Sequence, residues 1–334
     1  MTIARRIATT TALAALTLLA HPLVLAAQPG QGKGRGQAMT FLGFLGRPKF
    51  VTMLVIGFIA LLLLLTKKMR NSVKVPILLV STFLYGLAAN LPIKAFAGFS
   101  MHPSPICAAT KAMLYGFRIP MMVTLAVILV LTLVGPKLFC GWVCPVGAAQ
   151  ELIAMLADKL GLRRRKWNFR WTQAVRLGIF LLFVFLSGTA VLHTFAPNGQ
   201  KVALSLYDYI NAFHGYEIAL QPTAIDTIIH FLPFVLTLAF AFVTYRPFCY
   251  LVCPIGLLTN LVENIALFRV VLKRPACTDC GVCEKKTPCP TVPEILKDAA
   301  TRPDCFSCTV CTGACCPKSS LEFGLGFTRS GSAD

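Results

Sequence analysis

Between Cys277 and Pro317 the chain reads CTDCGVCEKKTPCP, then TVPEILKDAATRPD, then CFSCTVCTGACCP. Twice, three cysteines fall at C-x2-C-x2-C, and twice a later cysteine directly precedes a proline. Thiolate sulfur is a soft ligand suited to iron, and loops this tight bring several sulfurs around one four-iron cube. The pattern is that of a chain holding two 4Fe-4S clusters, in which the fourth cysteine of each run ligates the other cluster. It assigns Cys277, Cys280 and Cys283 to one cluster together with Cys316. Cys305, Cys308 and Cys311 go to the other, together with Cys289. Five residues separate Cys283 from Cys289, where three are usual. Cys315 stands at the usual spacing, but Cys316 is preferred because Pro317 follows it and Leu321 and Phe323 continue like a strand. Paired zinc sites are the competing reading, because C-x2-C also serves zinc.

A second set of cysteines lies upstream. Lys137 to Gly147 reads KLFCGWVCPVG, and Arg246 to Gly256 reads RPFCYLVCPIG. Both follow basic-x-Phe-Cys-x3-Cys-Pro-[Val/Ile]-Gly, which points to an internal parallel repeat. On a continuous helix, C-x3-C puts both sulfurs on one face, one turn apart. Proline after the second cysteine also fits a helix end or restart. Two such repeats can bring Cys140, Cys144, Cys249 and Cys253 together, as a third metal site or as redox dithiols. The plain alternative is four buried cysteines packing helix corners.

The elements that position these motifs are apolar. The chain has 334 residues, is 56% hydrophobic and 13% charged, against about 25% charged in soluble domains. Five apolar spans stand out: Phe50–Thr66, Val75–Ile93, Ile119–Gly135, Ala174–His193 and Ile225–Tyr245. Each has about the length that crosses a hydrocarbon core of roughly 30 Å as a helix. Lys67, Lys68, Arg70, Lys137, Arg163 to Lys166, Arg246, Arg269, Lys273 and Arg274 alternate onto one side. By the positive-inside rule that side is the cytoplasm, so the terminal cysteine runs are expected there and the mature N-terminus in the periplasm. A disulfide framework is not expected in that compartment. The net charge of +19 reads as topology rather than as nucleic-acid binding, because the basic residues flank apolar spans.

Residues 1–27 read as a signal peptide or signal anchor, with Arg5 and Arg6 before an apolar core. A Gly- and Gln-rich linker occupies 28–49. The expected organisation continues as a transmembrane domain over 50–274, a two-cluster segment over 275–323 and a tail over 324–334. His102, His193, His214 and His230 fall near the outer face, where imidazole can ligate a metal or move protons. Asp226 and His230 are intramembrane ionisable groups, candidates for a quinol site. Met101, His102 and Cys107 are a weaker copper candidate. No C-x-x-C-H is present, so no c-type haem is expected.

Together, CGWVCP, CYLVCP and the two terminal runs resemble the NapH and NosR type of membrane iron–sulfur proteins, over roughly residues 75–323. The resemblance implies an all-α polytopic membrane protein with about five transmembrane helices and a small C-terminal ferredoxin-like α+β segment. It implies electron transfer between the quinone pool, or a cytoplasmic donor, and a periplasmic reductase or its cytochrome or ferredoxin partner, at the bacterial inner membrane. NosR-type members carry a periplasmic flavin domain ahead of their spans. Only about twenty residues stand in that place here, so covalent FMN is not expected. Two other readings share these motifs: a copper or cofactor reductase of the CcoG type, and a redox-sensing membrane regulator.

Overall fold

The computed structural model describes residues 41–115, 118–162, 164–192, 206–218, 224–273, 276–297, 304–313 and 320–325. The expected signal segment, His193, Cys315 and Cys316 lie outside them. The apolar stretches are helices. They are α1 Pro48–Leu65, α2 Asn71–Thr82, α3 Pro105–Tyr115, α4 Ile119–Val134, α5 Pro145–Lys159, α6 Phe169–Leu192, α7 Ala224–Val243 and α8 Pro254–Glu263. Proline opens α1, α3, α5 and α8, where its missing N–H has no partner to lose. A π turn, Phe83–Leu87, and a 3-10 turn, Ala88–Asn90, prolong α2.

Helix α2 begins at Asn71, earlier than the apolar run alone predicts, so Pro76 lies inside the helix rather than at its end. The added turn carries Lys74, which is buried and paired with Glu151. That pairing holds the turn against the one backbone hydrogen bond that Pro76 removes.

Five spans are expected; among the described residues, three helices are long and apolar enough to cross a membrane: Pro48–Leu65, Asn71–Asn90 and Phe169–Ser187. Ile119–Val134 and the described stretch Phe231–Val243 are shorter apolar helices. Their outer faces leave large apolar side chains uncovered: Phe58 is 59% exposed, Phe185 65% and Phe240 53%. Rings bared on three separate helices suit a hydrocarbon surrounding better than water.

The terminal part of the chain packs on one end of this bundle. Strand β1, Phe268–Leu272, pairs antiparallel with β2, Leu321–Leu325, with Val270 opposite Phe323. The strand expected from Leu321 and Phe323 is therefore β2. Lys67, just past α1, bridges Glu322 at 2.7 Å. Lys74 of α2 donates to the Cys308 carbonyl at 3.0 Å. Ser307 Oγ donates to the Pro136 carbonyl just past α4, at 2.5 Å. The end of α1, the start of α2 and the end of α4 thus meet the cysteine-bearing segment together.

Candidate metal centres

The two terminal runs have the same backbone. In the first, Asp279 and Gly281 have φ of 49° and 67°; in the second, Ser307 and Thr309 have 54° and 66°. These residues flank Cys280 and Cys308, the middle cysteine of each run. Residues of alternating hand turn successive amide N–H groups inward, a nest that holds anions and iron–sulfur clusters. The Val282 N–H points at the Cys280 sulfur, and at the matching place the Val310 N–H points at that of Cys308. Hydrogen bonding by Val282, then by Thr278, holds the Cys280 thiol below its ordinary pKa. Cys308 is held below the usual thiol value, first by a hydrogen bond from Cys289. Cys289, the donor, is raised well above the usual thiol value. Cys305 is raised by burial and then by Glu263.

Cys289 interacts with Cys308 and Cys311 of the later run. That is the proximity a crossed fourth ligand needs. Cys277, Cys280 and Cys283 line a cavity of about 380 Å³, walled also by Ala276, Leu296 and Ser320. Ser320 lies four residues beyond Cys316, so the chain returns to this cavity close after that residue. None of the twelve described cysteines is in a disulfide. Among the described residues, no three His, Cys, Asp or Glu side chains close on one point as ligands of a single ion do. A four-iron cube is larger than an ion and holds its thiolates wider apart. Inward amides, thiols outside any disulfide and a cavity beside one run fit such a group.

The upstream repeats are built differently from a continuous C-x3-C helix. Phe139–Val143 forms a π turn, and Cys144 then turns extended (φ −63°, ψ 121°) as the N-cap of α5. Cys249 lies in a short helix, Pro247–Leu251, and Cys253 is the extended N-cap (φ −68°, ψ 117°) of α8. Pro145 and Pro254 impose this, because a residue before proline is driven from helical to extended geometry. Each pair of cysteines therefore straddles a helix break.

The repeats interlock. Lys137 and Arg246, their first residues, are both left-handed, at φ 46° and 47°. Lys137 Nζ donates to the Gly256 carbonyl of the other repeat at 2.9 Å. Arg246 Nη1 donates back to the Cys140 carbonyl at 2.9 Å. Gln150 Nε2 donates to Cys249 Sγ at 3.4 Å, and at the matching position Thr259 faces Cys140. Glycine is required where the pieces close: a Cβ on Gly147 would stand 2.2 Å from the Cys140 carbonyl, and one on Gly256 2.7 Å from that of Cys249. Cys140, Cys144, Cys249 and Cys253 are all buried and lie within electrostatic reach of one another. The repeat also sits deep in the bundle: Ser81 Oγ of α2 donates to the Trp142 carbonyl at 2.7 Å. Ser81 is ten residues into its helix, about 15 Å along it.

Phe306 joins the two sets of cysteines. It lies between Cys305 and Cys308, and its ring stands 4.8 Å from Lys137 Nζ and 4.9 Å from the Arg246 guanidinium. It meets the Tyr250 ring edge-on at 5.0 Å. Beside it, Asp304 is fully buried and pairs with Lys137 and with Arg176, the latter at 2.6 Å. Tyr250 donates to the Asp304 carbonyl at 3.1 Å. Glu151, also buried, accepts from Tyr245 at 2.6 Å and Arg246 Nε at 3.0 Å, and pairs with Lys74. Sequence reasoning read Lys137 and Arg246 as charges marking one membrane side; both are in fact buried and paired. It passed over Lys74, Glu151, Arg176, Asp304 and Phe306. The one local signal was a basic residue opening each repeat.

The outer-face candidates gather less. The His102 side chain is exposed, while Cys107 is buried in α3. The His102 carbonyl accepts from Lys49 Nζ at 2.6 Å. His214 Nε2 lies 3.6 Å from Asp208. The side chains of Asp226 and His230 fall outside the described residues.

Comparison with known proteins bears on this arrangement. A family described as "4Fe-4S binding domain" matches residues 117–170 and 228–275, so each match contains one of the upstream repeats. The chain is 28% identical over 212 residues to the Escherichia coli "Putative electron transport protein YccM", covering 61% of this chain and 56% of that protein. It is 31% identical over 158 residues to the "Methylamine utilization ferredoxin-type protein MauN" of Methylorubrum extorquens, 47% of this chain and 49% of that one. It is 26% identical over 220 residues to the "Ferredoxin-type protein NapH" of Haemophilus influenzae, 61% of this chain and 68% of that one. The chain thus spans little more than half the length of YccM. No solved structure matches. The 4Fe-4S domain match, together with ferredoxin-type and electron-transport relatives, makes the chain similar to the NapH type of iron–sulfur proteins.

Proposed function

We propose that this is an integral membrane protein of the bacterial inner membrane, with two 4Fe-4S clusters at the terminal runs and a third metal centre in the upstream repeats. The terminal ligands are Cys277, Cys280, Cys283 and Cys316 for one cluster. For the other they are Cys289, Cys305, Cys308 and Cys311. Cys140, Cys144, Cys249 and Cys253 hold the third centre. Such groups supply one-electron redox chemistry, with potentials set by charge, burial and hydrogen bonds. The physiological role we assign is electron transfer between the quinone pool, or a cytoplasmic donor, and a periplasmic reductase system.

The observation that supports this most is the docking of Phe306, from inside the second run, between Lys137 and Arg246 at the heads of the two repeats. It joins two sets of buried cysteines through one packed contact. Tyr250 and Phe306 exclude water there, and the buried ion pairs fix the loops.

Iron and sulfide analysis with electron paramagnetic resonance on anaerobically purified protein tests the reading. About twelve irons per chain are expected, four for each of three cubes. Colourless protein carrying zinc would defeat it. Cys280→Ser is expected to lose about four irons and part of the visible absorbance; an unchanged iron content would remove the first terminal site. A reporter fused after Asp334 is expected to be active in the cytoplasm only, and periplasmic alkaline phosphatase activity there would reverse the orientation.

A further inference from the structure

The buried charges between the two sets of cysteines are unevenly placed. Arg246 turns its guanidinium to the Cys140 and Gly141 carbonyls, at 2.9 and 3.3 Å, while its partner Glu151 lies within electrostatic reach of Cys308. Arg176 turns Nη1 to the Cys249 carbonyl at 3.0 Å, and its partner Asp304 is shared with Lys137. Glu263 accepts from the Cys305 N–H at 3.0 Å. Lys74 stands on the terminal side, 3.0 Å from the Cys308 carbonyl, and is matched there by Glu151. Lys137 reaches Cys305 as well as Cys140 and Cys249, so it favours neither side. The asymmetry rests on two arginines facing the repeats and on the carboxylates of Glu151 and Glu263 facing the second run. All four side chains are nearly water-free, where charges are screened far less than at a surface.

We propose that the centre held by Cys140, Cys144, Cys249 and Cys253 is reduced at a higher potential than the centre held by Cys289, Cys305, Cys308 and Cys311. Reduction adds negative charge, which nearby guanidinium groups stabilise and nearby carboxylates oppose. An electron shared between the two sites then resides on the repeat side. This deepens the proposed function by ordering its centres, and it rests on the reading that the repeats hold one.

The test is an anaerobic redox titration of the full-length protein in lipid nanodiscs, followed by electron paramagnetic resonance. Cys253→Ser and Cys311→Ser assign the signals. The Cys253-dependent signal is expected to appear first as the potential is lowered. Glu263→Gln keeps the shape and the acceptor for the Cys305 N–H but removes one carboxylate. It is expected to raise the midpoint of the Cys311-dependent signal by about tenfold in the reduced-to-oxidised ratio, 59 mV for one electron, and to move the other signal less. Reduction in the opposite order, or a Glu263→Gln variant with both midpoints unmoved, overturns the inference while leaving a third centre in place. Wild-type protein with about eight irons and no Cys253-dependent signal overturns the third-centre reading itself, and this ordering with it.

Discussion

Replacing Asp304 with alanine is expected to release the second cysteine run from the repeats. Asp304 is the shared carboxylate of Lys137 and Arg176, and all three side chains are fully buried. It also accepts from Gln173 Nε2 at 2.8 Å. Alanine leaves two cations without a counter-charge in a water-free site, a loss of about 3–5 kcal/mol for breaking a buried pair. Lys137 and Arg176 belong to the bundle, and Asp304 to the terminal segment, so the loss falls on the contact between them. Limited proteolysis should cut the segment after Phe268 much faster in the variant. Iron should fall by the share belonging to the second run. Asp304→Asn, which retains shape and an acceptor, should fall between the two. If Asp304→Ala resisted protease as wild type does and kept all its iron, the segment would be held by something other than this carboxylate.

The second large effect is expected at Glu151. Its two oxygens serve Lys74 on α2 and Tyr245 and Arg246 at the head of the second repeat. Removing it strands two buried cations and a tyrosine hydroxyl, again about 3–5 kcal/mol. The consequence differs in kind, because Glu151 belongs to α5 and ties the first repeat to the second. Glu151→Ala should loosen the repeats on one another and open Cys140 and Cys249 to maleimide labelling, with a lower melting temperature in detergent. Glu151→Gln keeps acceptor capacity for Tyr245 but not the charge, and should recover part of the loss. Labelling of Cys140 at the wild-type rate in Glu151→Ala would mean that the interlock stands on Lys137 and the glycines alone.

These two residues also show where the sequence was readable. Local signals translated well. The cysteine spacing marked two runs, and the structure gives both the same left-handed residues, because two-residue gaps between cysteines leave few ways to turn sulfurs inward. Apolar runs marked the helices, since length and hydropathy are properties of a single segment. The two Cys-Pro motifs marked a repeat, and proline fixed its helix break through its immediate neighbour alone.

The residues that hold the sites together gave no such signal. Asp304 and Lys137 are 167 positions apart, and Glu151 and Arg246 are 95. A charged side chain has the same letter whether it faces water beside a membrane or lies buried against a counter-charge. Lys137 and Arg246 therefore read as surface charges until the fold placed Phe306 between them. Spacing along the chain alone determined which residues can bind metal and which segments are apolar. Only tertiary structure decided which cysteines lie near one another and which charges face them, because burial and electrostatic neighbourhood arise from packing distant segments together.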